Sequence, residues 1–494
     1  MPAARARRRT KLVVAVIDGV QPAMLERAVA EGVAPVLGEL IERGLYIDDC
    51  VSAFPSVTPV CAATIATGVG PDRHHIPAMN WYDRLEGRYV EYGSSLAAAR
   101  RFGITRQLID VVYNLNRVHL AGDVATVFER LDDADLRTAG TTYLMYRGRH
   151  EHQPTADTPL TRLAATLFRH PVQGPREFFY ADIFASRRTG CRSQMGMPGQ
   201  RDQHTGCVGA YLVEHDLFDF LLFSLPDNDA HSHRRGLDAQ VQSLGVADQQ
   251  LARLMEAGGG PERFLDEHAI IVLADHAHSE IREALSLPDL FADFIVLQPR
   301  ERSTLDAEIA ICPSQRSAQI YVLVRRGRRA LMPRLLDVVL SEPAIDLVLW
   351  REGARAVIGR GKRRLRFAPG AGLTDERGRT WEVEGDVDLL AARLEDNRLV
   401  SPGYPDALGR SWSAITCPTA GDLLLSAADG FEFVDWGGVS HVGGSSHGSL
   451  DAGDSLGPLI FCGTGPTARG ERRWSIADVA PAVAGHFALD GGGR

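Results

Sequence analysis

Four short polar groups carry side chains able to do chemistry: Asp18-Gly19, Asp227-Asn-Asp229-Ala-His231-Ser-His233, Asp275-His276, and Ser440-His441 through Ser446-His447-Gly448. Asp and His are hard-to-borderline ligands that suit Zn²⁺ or Mn²⁺. An Asp-x-x-x-His pair, an Asp-His pair and a distant His are enough for two adjacent metals. Two metals about 4 Å apart can clamp the attacking and leaving oxygens of an in-line phosphoryl displacement. Taken singly each group is weak, since Asp-Gly after a strand is usually a turn. The Asp-x-x-x-His spacing also fits two registers, Asp227/His231 or Asp229/His233. A nucleophile is needed as well, and Thr58-Pro59 opens a helix-like segment. A helix start directs backbone N–H groups and a positive dipole end outward, which suits a phosphate. The spacing predicts that Thr58 caps that helix, and a metal would lower the pKa of its hydroxyl.

Together, Val-Ile-Asp18-Gly, Phe54-Pro-Ser-Val-Thr58-Pro, Ala66-Thr67-Gly68-Val-Gly-Pro71-Asp-Arg-His74, Ala274-Asp275-His276 and Ser446-His447-Gly448 resemble the alkaline phosphatase superfamily. The branch they most resemble is the type I phosphodiesterase/nucleotide pyrophosphatase group. The resemblance covers 11–83, 217–276 and 440–490. It implies an α/β fold with two divalent metals, Zn²⁺ first and Mn²⁺ second, and hydrolysis of phosphate esters through a phospho-threonine at Thr58. It implies that Asp18, Thr58, Asp275 and His276 surround one metal, and that Asp229, His233 and His447 hold the other. Arg-Arg-Gly236 after His233 matches the family's H-x-x-G, which favours the Asp229/His233 register. Two departures stand out. The family's Asn three positions after the nucleophile is Cys61 here. The Asn that contacts a phosphate oxygen has its counterpart in Asn80, one position out of a gapless register. Monoesterase, phosphonate hydrolase and phosphomutase activities share the scaffold, and a non-catalytic metal-binding protein is the rival of another class. Sulfatase activity is disfavoured, because no Cys/Ser-x-Pro-x-Arg begins at position 58.

The elements that must position these residues follow from periodicity. Leu12–Ile17, Leu217–Leu225 and His268–Leu273 are continuous apolar runs, the pattern of strands buried on both faces. Each is followed by one of the polar groups, and ligands in open α/β sheets bind beyond the carboxyl ends of the strands. Helical spacing covers 22–30, 35–43, 58–67, 124–131 and 238–256. Strands are expected at 45–50, 138–146 and 456–462, with a capping box at Ser475 and Asp478. This predicts an alkaline-phosphatase-like, mostly parallel sheet flanked by helices. Short strands at 319–324, 345–350, 356–359 and 364–367, with a helix at 331–340, read as a smaller α+β insertion. The expected organisation is a catalytic core over 11–317, irregular at about 147–205, then the insertion or cap over 318–400, then the rest of the core over 401–490.

Composition narrows the class. The 494 residues are 24 % charged and 45 % hydrophobic, with 49 Gly and 26 Pro, which excludes collagen-like and wholly disordered chains. A net charge of −9 lacks the basic footprint of a nucleic-acid scaffold, so the expected partner is a small phosphate ester. No apolar run reaches the roughly 20 residues needed to span a bilayer. The basic start, 1–10, reads as a tail before the first strand. Seven cysteines without CxxC spacing are neither a zinc ribbon nor a disulfide framework and fit a reducing, cytoplasmic compartment. Gly463–Gly470 lacks the Gly-Lys-Ser/Thr of a phosphate-cradling loop.

Overall fold

The computed structural model describes residues 10–156, 161–162, 166–301, 306–324 and 327–489. The basic tail at 1–9 lies outside them. The central strand is Lys11–Ile17, buried throughout. It pairs in parallel with Phe220–Leu225 on one side (Leu12 opposite Phe220) and His268–Leu273 on the other (Lys11 opposite His268). Thr138–Thr141 and Glu177–Tyr180 extend the parallel run. Leu456–Cys462 and Leu45–Val51 close one edge antiparallel, and Phe184–Ala185 closes the other.

Strand alternation explains the layers. Leu12, Val14 and Val16 point into one apolar core, and Val13, Ala15 and Ile17 into a second. Helices including Pro22–Ala30, Pro35–Arg43, Arg201–Glu214 and Gln240–Ala257 bury the second face. The first core continues without a break into a second sheet, through Ile309, Ile311, Ile320 and Leu425. Among the described residues that sheet has nine strands and takes Leu423–Ala427 between Ser317–Val322 and Ile345–Glu352. It therefore gathers strands from both sides of position 400.

Local differences from the expected elements have physical causes. The strand expected over 138–146 ends at Thr141, because Thr142 takes φ 50° and turns the chain off the sheet. The helix expected from 124 starts at Val127, behind a capping box made by Thr126 and Glu129. The end of the irregular stretch runs into the helix Arg201–Glu214. It is tied by a Cys191–Cys207 disulfide, while the other five cysteines are free and buried. One pair 16 residues apart leaves no pattern in the sequence, and a reducing compartment would not favour the bond. Among the described residues no helix is long and apolar enough to cross a membrane.

Candidate metal centre

All the chemistry-bearing groups meet beyond the carboxyl ends of the parallel strands. Asp18 and Gly19 follow Ile17 directly. The Gly19 N–H donates to Asp275 Oδ1 at 3.2 Å, and so does the His276 N–H at 3.0 Å. Gly19 sits at φ 69°, and a Cβ there would lie 2.4 Å from His278 Nε2. Glycine is thus required both by conformation and by the imidazole packed on it.

Asp229 and His233 lie on the helix Asp227–Arg235, four residues apart and so on one face. Their Oδ1 and Nε2 are 3.3 Å apart. Two further imidazoles aim Nε2 at the same Asp229 Oδ1, His278 at 3.0 Å and His447 at 3.3 Å. The rings are held from behind: His233 Nδ1 by the Ser445 carbonyl at 2.8 Å, and His447 Nδ1 by the Ser56 carbonyl at 2.7 Å. His278 Nδ1 lies 3.2 Å from Ser445 Oγ. An outer hydrogen bond on Nδ1 leaves Nε2 free to ligate.

Asp227 does something else. Its carboxylate accepts from Arg201 Nε at 2.8 Å and from the Gly199 and Asp202 N–H groups at 2.8 and 3.1 Å. Neither His231, its partner in the rival register, nor His233 belongs to the two tightest ligand clusters, but His233 Nε2 reaches Asp229 Oδ1.

Two ligand sets result, each with donor atoms within 4.8 Å of one another: Asp18, Asp275 and His276, and Asp229, His276, His278 and His447. Thr58 Oγ1 lies 3.3 Å from His276 Nε2. Thr58 does not cap its helix as expected. Val57 holds the cap position and Thr58 is the first helical residue, half-buried beside fully buried neighbours. Its hydroxyl is therefore not spent on the backbone.

Asn80, expected to contact a phosphate oxygen, is buried. It opens a hairpin strand, donates from Nδ2 to the Val90 carbonyl at 2.9 Å, and does not line the cavity that reaches Thr58. Met79, one residue earlier, does. Cys61, which replaces the family's Asn, is fully buried. Sequence reasoning missed His278, although a third imidazole two residues after Asp275-His276 was there to be seen. It also missed Glu432, whose carboxylate lies 2.9 Å from His441 Nδ1 while the His441 ring stacks on His233 at 4.1 Å.

Electrostatically the centre holds more carboxylate than cation: burial opposes protonation of His233, but Asp229 beside it raises that imidazole above its usual range. Burial, then Asp275 and Asp229, push the Asp18 carboxyl well above the usual range; burial also raises Asp275. Burial lowers His276, His278 and His447 to about 4, so all three are neutral. Burial opposes ionisation of Asp229, but His233, His278 and His447 more than offset it and hold it well below the usual range. Asp18 Oδ1 and His447 Nε2 are buried without a directed hydrogen bond. Three clustered carboxylates, neutral imidazoles and orphaned ligand atoms fit divalent cations.

Fold and site together define an α/β enzyme of the alkaline phosphatase superfamily. Residues 12–342 match the family of type I phosphodiesterases/nucleotide pyrophosphatases, and the chain belongs to that family of metal-dependent phosphoester hydrolases. Among solved structures, it is similar to phosphonoacetate hydrolase from Sinorhizobium meliloti 1021 bound to phosphonoformate, at 18 % identity and TM-score 0.58, covering 97 % of this chain and 96 % of that one. It is also similar to murine ectonucleotide pyrophosphatase/phosphodiesterase 5, in an inactive threonine-to-alanine form with AMP, at 10 % identity and TM-score 0.57, covering 97 % and 95 %. Among curated proteins none matches the sequence.

Proposed function

We propose that the protein hydrolyses phosphodiester or nucleotide pyrophosphate bonds through a covalent phospho-Thr58. The carrying observation is that Asp18, Asp229, Asp275, His276, His278 and His447 converge beside a half-buried Thr58 hydroxyl left free of capping. Asp18, Thr58, Asp275 and His276 would hold one divalent cation, and Asp229, His233 and His447, with His278, a second. The donor set suits Zn²⁺ first and Mn²⁺ second. When bound, such ions supply positive charge to phosphoryl oxygens and lower the pKa of an attacking hydroxyl.

The chain's own residues do the rest. Thr58 is placed at a helix N-terminus, where the dipole favours the incoming phosphoryl charge. Its oxygen bonds to phosphorus while the ester oxygen leaves with the bond pair and takes a proton. Water then attacks the same phosphorus, releases the phosphate product and returns the Thr58 hydroxyl. The second reading, hydrolysis of a phosphonate P–C bond, draws on the likeness to phosphonoacetate hydrolase. Chelation tests the first. Prolonged EDTA treatment should abolish turnover of bis-p-nitrophenyl phosphate, and Zn²⁺ or Mn²⁺ should restore it. Full activity in excess EDTA would refute the metal-dependent account.

A further inference from the structure

A cavity of about 330 Å³ runs from Asp18, Thr58, Asp229 and Asp275 into the protein. That is near the small end of ligand pockets, about 300–1,000 Å³. Beyond the carboxylates its wall is built largely from Met79, Leu108, Val112, Tyr143, Ile183 and Met195, with the hydroxyl-bearing Thr142, Tyr180 and Ser224 also lining it. Tyr143 and Tyr92, which also line it, present rings rather than free hydroxyls. Tyr143 Oη donates to the Ala62 carbonyl at 3.3 Å, and Tyr92 Oη lies 2.7 Å from His119 Nδ1.

Among the described residues Arg201 is the one cation lining this space. Its charge is already matched: Nε donates to Asp227 at 2.8 Å, and Nη2 to the Pro226 carbonyl at 3.0 Å. Asp227 is itself fixed by the Gly199 and Asp202 N–H groups. A second anionic group on a substrate, such as a carboxylate or another phosphate, would enter this sleeve without an unpaired cation to meet it, at a large desolvation cost. Among the described residues the hydroxyls and base edge of a nucleoside would find only the Thr142, Tyr180 and Ser224 hydroxyls as uncharged side-chain partners.

From the largely apolar side chains beyond the carboxylates, the size of the space and the paired state of Arg201, we infer that this cavity takes the organic group of the ester and selects a compact, uncharged aryl or alkyl group. The inference rests on the phosphoesterase reading above and names its substrate class: a diester carrying a single negative charge, at the phosphoryl group.

The test uses the full chain reconstituted with Zn²⁺ or Mn²⁺ and three probes: bis-p-nitrophenyl phosphate, the p-nitrophenyl ester of thymidine 5′-monophosphate, and phosphonoacetate. The expected kcat/KM for the aryl diester exceeds that for the other two by at least about tenfold, the scale on which apolar pockets discriminate. Leu108→Asp and Met195→Asp place a charge at two half-buried wall positions that can tolerate it, and each should cut that ratio by about tenfold with metal content retained. Preferred turnover of the nucleotide ester would overturn the inference and leave the phosphoesterase reading standing, whereas preferred turnover of phosphonoacetate would overturn both in favour of P–C hydrolysis. A ratio indifferent to both folded variants would overturn it too. No turnover of any probe with either metal would bring down the reading itself, and the inference with it.

Discussion

Three imidazole Nε2 atoms aim at one oxygen, Asp229 Oδ1, from His233, His278 and His447. Removing either ligand-register residue should therefore matter more than removing its neighbour. Asp229→Ala and His233→Ala should bind Zn²⁺ far more weakly in competition with a chromophoric chelator. Asp227→Ala should keep its affinity, because that carboxylate is committed to Arg201 and two backbone N–H groups. His278→Ala should weaken binding by about 10–100-fold, the usual effect of losing a group that ligates or orients a ligand. Equal affinities in all four variants would contradict this assignment. Residue types and order made most of this constellation legible in the sequence. The choice between Asp227 and Asp229 was legible only through the downstream glycine. The place of His278 was not legible, because it depends on where the chain turns after its strand, and that of Asn80 was not, because it depends on the pairing of the hairpin that it opens.

At the level of elements, two helix starts are joined by a reciprocal exchange. The Asp227 carboxylate accepts from the Asp202 N–H, and Asp202 Oδ1 accepts from the Asp227 N–H at 3.0 Å. The exchange fixes the helix bearing Arg201 against the helix bearing Asp229 and His233. Burial, and then Asp227, raise Asp202 to about 7, against about 4 for an unfolded aspartate. Between those values the folded chain holds a proton that the unfolded chain has released, so stability falls as pH rises through this window. Asp202→Asn keeps the acceptor and removes the titration. Melting temperatures of wild type and variant should therefore diverge in the variant's favour from about pH 4 to about pH 7. A constant difference across that range would show that Asp202 carries no such linkage. The capping expectation at Thr58 failed for a related reason. Thr-Pro marks a helix start in sequence, but whether the Thr is the cap or the first helical residue is set by the backbone of Val57.

On the scale of the whole molecule, the second sheet reaches back into the centre. The Arg316 side chain, 1 % exposed, pairs with the fully buried Asp454 and donates to the Ala428 and Phe431 carbonyls. Its backbone N–H donates to the His447 carbonyl at 2.9 Å, while Asp454 accepts from Ser279 Oγ and from the Ser449 N–H. Gln315, in the same turn, donates from Nε2 to His233 Nε2 at 3.2 Å. Arg316→Met should cost about 3–5 kcal/mol in urea unfolding by leaving a buried carboxylate unpaired. The double variant with Asp454→Leu should recover much of that. Additive losses would show that the two side chains are not coupled. The parallel core was legible because its strands are uninterrupted apolar runs, each ending in a polar group. The extent of the second sheet was not, because Leu423–Ala427 reads as any buried strand and only long-range register places it between Ser317–Val322 and Ile345–Glu352.

The central claim is that the Thr58 oxygen attacks phosphorus. The most direct measurement is kcat/KM of metal-loaded Thr58→Ala on bis-p-nitrophenyl phosphate, beside its melting temperature. Because Thr58 makes no cap, the variant should melt within a few degrees of wild type. Its kcat/KM should fall by about a thousandfold or more, the scale of losing a nucleophile. A folded Thr58→Ala that keeps turnover within about tenfold of wild type, roughly 1.4 kcal/mol, would show that water attacks directly and that Thr58 is not the nucleophile.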